Sequence, residues 1–89
     1  MTTTAEVGRA FWQGRPARGS SVHSTGNKAY SYNTVLLQRL GNGKTIGNIT
    51  KYSVTTSKHQ TQMGVRMATY LVSGVPRGAQ DLRPYLKGK

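Results

Sequence analysis

Three consecutive residues, Gly41-Asn42-Gly43, constrain this chain more than any others. Gly and Asn accept the positive φ that a tight reversal needs, and such a cluster between two β-prone runs marks a hairpin. Upstream, Ala29 to Leu40 carries Tyr30, Tyr32, Thr34 and Val35, then Leu36 and Leu37, the aromatic and β-branched side chains that suit a pleated surface. Downstream, Thr45 to Val54 offers Ile46, Ile49, Tyr52 and Val54 as the return strand. A two-residue loop at Asn42-Gly43 sets Leu36 opposite Ile49, and a longer loop shifts every pair. Gly47 marks a bulge or a close backbone approach.

Helical signals flank the hairpin. Thr3 and Glu6 have capping-box spacing, Val7, Ala10 and Phe11 share one helical face, and Gly14 with Pro16 ends the segment. Ser57 and Gln60 repeat the capping-box spacing for a second helix ending near Gly74-Val75-Pro76. Along it His59, Met63, Met67, Tyr70 and Leu71 form one stripe, and Lys58, Gln62, Arg66 and Thr69 form another. Gly64, inside this helix, points to a close contact or a partner. Arg15 to Lys28 reads as a mobile basic loop in which Ser20 to Ser24 offers a short edge strand and Gly26-Asn27 a turn. Arg77 to Lys89 reads as an extended basic arm that pins Leu82, Tyr85 and Leu86. The expectation is one α+β domain spanning residues 1–89, with a small antiparallel sheet built on the central hairpin.

With 89 residues, 35% of them hydrophobic, and no cysteine, the core is thin and no disulfide reinforces it. A homodimer with Met63 and Met67 at its seam is one remedy. No run approaches the ~18 apolar residues of a membrane span, and Met1 to Gly14 lacks the pattern of a secretory leader, so the expected compartment is the cytoplasm. His23 and His59 lie far apart with only Glu6 and Asp81 to join them, too few ligands for a protein-built metal site. No cofactor is implied.

Function is signalled by charge. Thirteen Lys and Arg stand against two acidic residues, for a formal net charge of +11. The side chains cannot neutralise one another, and a phosphate backbone is the commonest partner for such an excess. The candidate contacts are Arg39 and Lys44 beside the hairpin turn, Lys51 on the return strand, and Lys58, Gln62 and Arg66 on the second helix. Gln62 has the chemistry to reach a base edge. Tyr30 and Tyr32, on one strand face, are candidates for base stacking, although tyrosines also cover thin cores. The backbone N–H groups at Ser57 to His59, beside Lys58, form a candidate anion site at a helix start.

The run Tyr52-Ser53-Val54-Thr55-Thr56-Ser57-Lys58-His59-Gln60, preceded by a strand and a Gly-Asn turn, resembles short uncharacterised proteins of phages and archaeal viruses. In those, a hairpin runs into a Thr-Thr-containing helix start. The resemblance covers about Gly26 to Gln60 and implies a viral or mobile-element origin and a small α+β fold, with no functional residue to carry over. The leading expectation is a non-enzymatic nucleic-acid-binding accessory protein. Two alternatives stay open. One is a metal-free ribonuclease or toxin using His23 and His59 as acid and base with Lys51 or Arg66 on phosphate. The other is an inhibitor or virion protein docking on an acidic protein surface.

Overall fold

The computed structural model describes residues 3–19, 21–41 and 43–86. The chain opens with helix α1, Thr4–Trp12, started by the reciprocal capping box of Thr3 and Glu6 that the sequence announces. Five strands follow as an antiparallel meander: β1 (Pro16–Arg18), β2 (Val22–Thr25), β3 (Lys28–Ser31), β4 (Thr34–Arg39) and β5 (Thr45–Asn48). Helix α2, Val54–Met63, then carries the chain across to β6, Tyr70–Val72, which lies parallel to β5 at the sheet's edge. A parallel neighbour needs such a crossover, because no tight turn can supply one. The result is the expected α+β class, with six strands in spatial order β1-β2-β3-β4-β5-β6.

Several elements differ from their sequence reading. The segment read as a mobile loop contains the paired strands β1 and β2. The long strand from Ala29 to Leu40 is itself a hairpin, β3 and β4, reversing at Tyr32-Asn33. Tyr32 takes a left-handed φ of 56° there, a conformation that nothing in a strand-forming tyrosine advertises. The expected Gly-rich turn does join β4 to β5, but Leu40 and Lys44 close it around three residues, so Leu37 faces Gly47 and Gln38 faces Ile46. That is one residue away from the register that places Leu36 against Ile49. The return strand also stops early. Buried Asn48 donates to the Val35 carbonyl (3.0 Å) and to the Tyr52 hydroxyl (2.9 Å) and accepts from the Thr50 N–H, turning the chain out of the sheet.

The second helix begins earlier and ends earlier than its repeat pattern suggests. Ser53, not Ser57, is its N-cap and accepts from the Thr56 N–H, and Gly64 ends it with a left-handed φ of 73°. Val65–Met67 form a single 3-10 turn, and Tyr70 and Leu71, read as helical, belong to β6. The C-terminal segment is no extended arm over its described part. It folds back along the sheet through a 3-10 turn at Arg83–Tyr85 and buries Leu82 completely, while residues 87–89 lie outside the described ones.

Two apolar clusters result, one on each face of the sheet. Val7, Phe11, Met63 and Val65 close over Val22, Ala29, Leu36 and Leu37. Leu36 and Leu37 reach the same side although consecutive, because a bulge sits where the pairing steps from Ala29–Leu37 to Tyr30–Val35. On the other face Val75 and Leu82 cover Tyr30, Val35, Ile46 and Val72. Met63 therefore belongs to the core of the single chain rather than to a dimer seam. Its Cα sits where a Cβ on Gly8 would approach to 2.7 Å, so Gly8 is what lets α1 and α2 touch. Gly47 has the matching role under the 3-10 turn, where a Cβ would collide with the Val65 carbonyl. No helix of the described residues is long and apolar enough to cross a membrane.

Candidate functional site

Both carboxylates are spent inside the fold. Glu6 accepts the Thr3 N–H at 2.7 Å, and that backbone hydrogen bond lowers its pKa below the ordinary value. Asp81 is held far below the usual carboxylate range, chiefly by side-chain hydrogen bonds from Arg83 and also by one from Gln38. Arg83 and Asp81 form an ion pair at 3.0 Å.

Apart from Arg15, which donates to the Gln13 side-chain oxygen, the described cations divide into two groups. In the first, the charge is tied to a backbone carbonyl, an aromatic ring or Asp81. Arg39 donates to the carbonyls of Phe11 (2.6 Å) and Gly26 while lying 4.6 Å over the Phe11 ring. It thus serves the C-terminal end of α1, where free carbonyls attract a cation. Lys28 donates to the Gln80 carbonyl, Arg77 to the Tyr52 carbonyl, and Lys44 lies 5.9 Å over the Tyr70 ring. In the second group Arg9, Arg18, Lys51, Lys58 and Arg66 are exposed, and among the described residues their side chains make no hydrogen bond or ion pair.

The expected stripe of Lys58, Gln62 and Arg66 does not run straight, because the helix stops at Gly64. Lys58 and Gln62 stay exposed on α2, away from its buried Thr56, His59 and Met63. Arg66 is carried instead on the 3-10 turn, on the same groove as Lys51. The two line one groove of about 400 Å³ together with Ile49, Gln60, Val65 and Met67. The anion site expected at Ser57 to His59 is not built, since the helix begins four residues earlier and the Ser57 N–H already donates to the Ser53 carbonyl at 2.9 Å.

The tyrosines separate as well. Tyr30 is buried and stacks on His23, with ring centroids 4.6 Å apart. Tyr32, at the β3–β4 turn, is 56% exposed and is the more accessible ring of the two candidates. Tyr52 is half-buried, donates its hydroxyl hydrogen to the Val75 carbonyl at 2.6 Å, and carries the Arg77 guanidinium over its ring.

His59 shares a 2.7 Å hydrogen bond between its Nδ1 and the Ser31 hydroxyl on the helix side of the sheet, whereas His23 stacks against Tyr30 on the other side. The sheet stands between them, so this fold does not assemble them as an acid–base pair. Burial lowers the pKa of both, and the charge of Arg18 adds to the effect at His23.

Sequence reasoning found Lys51 and Arg66 but not their shared groove, and it missed Ile49, Gln60 and Met67 as part of its lining. The available signal was Gly64: a glycine eleven residues past the N-cap Ser53 is as fit to end a helix as to interrupt one. Arg9 and Arg18 were also missed, because exposure is not written in composition. Compared with protein families, curated proteins and solved structures, the chain matches none.

Proposed function

We propose that this chain is a non-enzymatic nucleic-acid-binding protein, an accessory factor of a virus or mobile element, which grips the phosphate backbone with Arg9, Lys51, Lys58 and Arg66. One observation carries the reading. Asp81 is paired with Arg83, and Glu6 caps α1 within reach of Arg9, so among the described residues Lys51, Lys58 and Arg66 have no acidic side chain to answer them. Fully charged, mobile donors of this kind suit phosphate oxygens, and the counterions they release supply the affinity. Arg39, which the sequence also nominates, contributes charge but not a free guanidinium.

The test is affinity for a fluorescent mixed-sequence oligonucleotide across a salt series, with polyglutamate as competitor. Four phosphate contacts on a single strand give a log–log slope of about −3. Binding that is flat with salt, or absent at the lowest salt, overturns the proposal. Equal competition by polyglutamate would assign the surface to acidic proteins instead.

A further inference from the structure

The groove between α2 and the chain leaving β5 is more apolar than phosphate contact requires. Val65 is buried beneath it, Ile49 is half-buried, and Met67 stands 80% exposed, yet Lys51 and Arg66 line the same space. A phosphate is strongly hydrated and gains nothing from such walls. A nucleobase, by contrast, has an apolar face, a polar edge and a phosphate on either side. Its groove volume, about 400 Å³, falls in the range of small-molecule sites. We infer that this groove holds one unpaired base of a single strand, with the flanking phosphates on Lys51 and Arg66. The inference rests on the phosphate-binding reading above.

Gln60 strengthens it. Its Nε2 donates both hydrogens, to the Asn48 carbonyl at 2.7 Å and the Thr50 carbonyl at 3.0 Å. That fixes the amide and leaves its oxygen as an acceptor with no partner among the described residues, on a residue that lines the groove. The edge of a base supplies donors for such an oxygen. The thioether of Met67 is suited to the face of an aromatic ring. A duplex keeps those faces stacked, so the occupant is single-stranded.

The experiment compares three probes with the same number of phosphates at one salt concentration: an intact single strand, the same strand with abasic sites throughout, and a hairpin duplex of the same total number of nucleotides. Each is titrated against the natural protein and against Met67→Ala. Because Met67 is exposed, the variant keeps the core, which a cooperative melt verifies. We expect the intact strand to bind about tenfold more tightly than the abasic one, and Met67→Ala to erase most of that gap without altering abasic affinity. Equal binding of intact and abasic strands overturns the base site while leaving phosphate binding in place. A gap that survives Met67→Ala places the base elsewhere, for instance on Tyr32, and also overturns it. Failure of every probe to bind at low salt removes the phosphate-binding reading and this inference with it.

Discussion

On one face of the sheet, two helices bring Val7, Phe11 and Met63 onto Leu36 and Leu37. On the other, a segment without a helix of more than one turn lays Val75 and Leu82 on Val35 and Ile46. The helices satisfy their own backbone, so their side chains have only to pack. The C-terminal segment has no such internal ladder and is tied down by long-range hydrogen bonds instead. Buried Gln38 accepts the Leu82 N–H at 2.6 Å and donates to Asp81 at 2.8 Å. Thr34 accepts the Gly78 N–H, Val35 donates to the Ala79 carbonyl, and Lys28 donates to the Gln80 carbonyl. The cations follow this division with two exceptions, Arg39, which is tied to the end of α1, and Arg18, which is untied beside His23. Around the C-terminal segment Lys28, Arg77 and Arg83 are committed to carbonyls and Asp81, whereas the helix layer leaves Arg9, Lys58, Lys51 and Arg66 without such ties. Arg39 apart, the helix-covered face leaves its charged residues available for a partner.

The strongest way to break that comparison is to weaken each face by its own means. Phe11→Ala removes a fully buried ring from the helix face and should cost about 3–5 kcal/mol. Gln38→Ala on the other face strands the buried Leu82 N–H and should cost about 1–3 kcal/mol. Chemical denaturation of both variants measures the two losses. A silent Gln38→Ala would mean that Leu82 and Val75 hold the segment by apolar burial alone, and the distinction between the faces would lapse.

Acid should act on His59 and on Asp81 in different windows. His59 is buried in the helix face with its pKa below the ordinary value, so the neutral ring is what the fold stabilises. That contribution is complete above the unfolded pKa of about 6.5 and is lost as pH falls below it. Asp81 has the depressed carboxylate of the other face, so its contribution persists until pH falls below about 4. Melting temperature between pH 7.5 and 5, conditions chosen to bracket the histidine window at roughly 6.5, should decline in the natural protein and decline less in His59→Asn. His23 titrates in the same range, so the difference between the two curves isolates His59. Superimposable curves would show that His59 does not couple protonation to the helix face.

The two faces were unequally legible in the sequence. Helix α1 could be read from Thr3 and Glu6 with Val7, Ala10 and Phe11, because capping and periodicity are local properties. Its continuation in α2 was blurred, since the spacing of His59, Met63 and Met67 runs past Gly64 and only the φ of 73° at that glycine stops it. The reversal at Tyr32-Asn33 was hidden, as neither residue belongs to the usual tight-turn pairs. The other face was legible only as a few apolar residues in the tail. Gln38 and Asp81 are 43 positions apart, and no local rule brings them together. The candidate groove has the same character: Lys51 and Arg66 are visible as charges, but their sharing of one groove depends on where α2 ends.

The smallest expected effect bears on the use of the cations. Lys51→Gln, Arg66→Gln and Lys28→Gln each remove one positive charge, so a diffuse field predicts the same loss of affinity for all three. The structure separates them. Lys51 and Arg66 are exposed and line the groove, whereas the Lys28 ammonium donates at 2.6 Å to the Gln80 carbonyl on the opposite face. A lysine or arginine that meets a phosphate releases a counterion when it binds, and its loss reduces the log–log salt slope by roughly 0.7 on a single strand. A cation elsewhere leaves the slope nearly unchanged and shifts only the affinity at low salt, because its field is screened within about 10 Å at 0.1 M ionic strength. The slope is therefore the discriminating quantity, and it is insensitive to small differences in protein concentration. We expect shallower slopes for Lys51→Gln and Arg66→Gln and a natural slope for Lys28→Gln. Melting temperature serves as the control, since Lys28→Gln weakens the anchoring of Gln80 and is the variant more exposed to a loss of stability. Three equal slopes would mean that the nucleic acid meets both faces alike, and the division of cations between a structural face and a binding face would then fail.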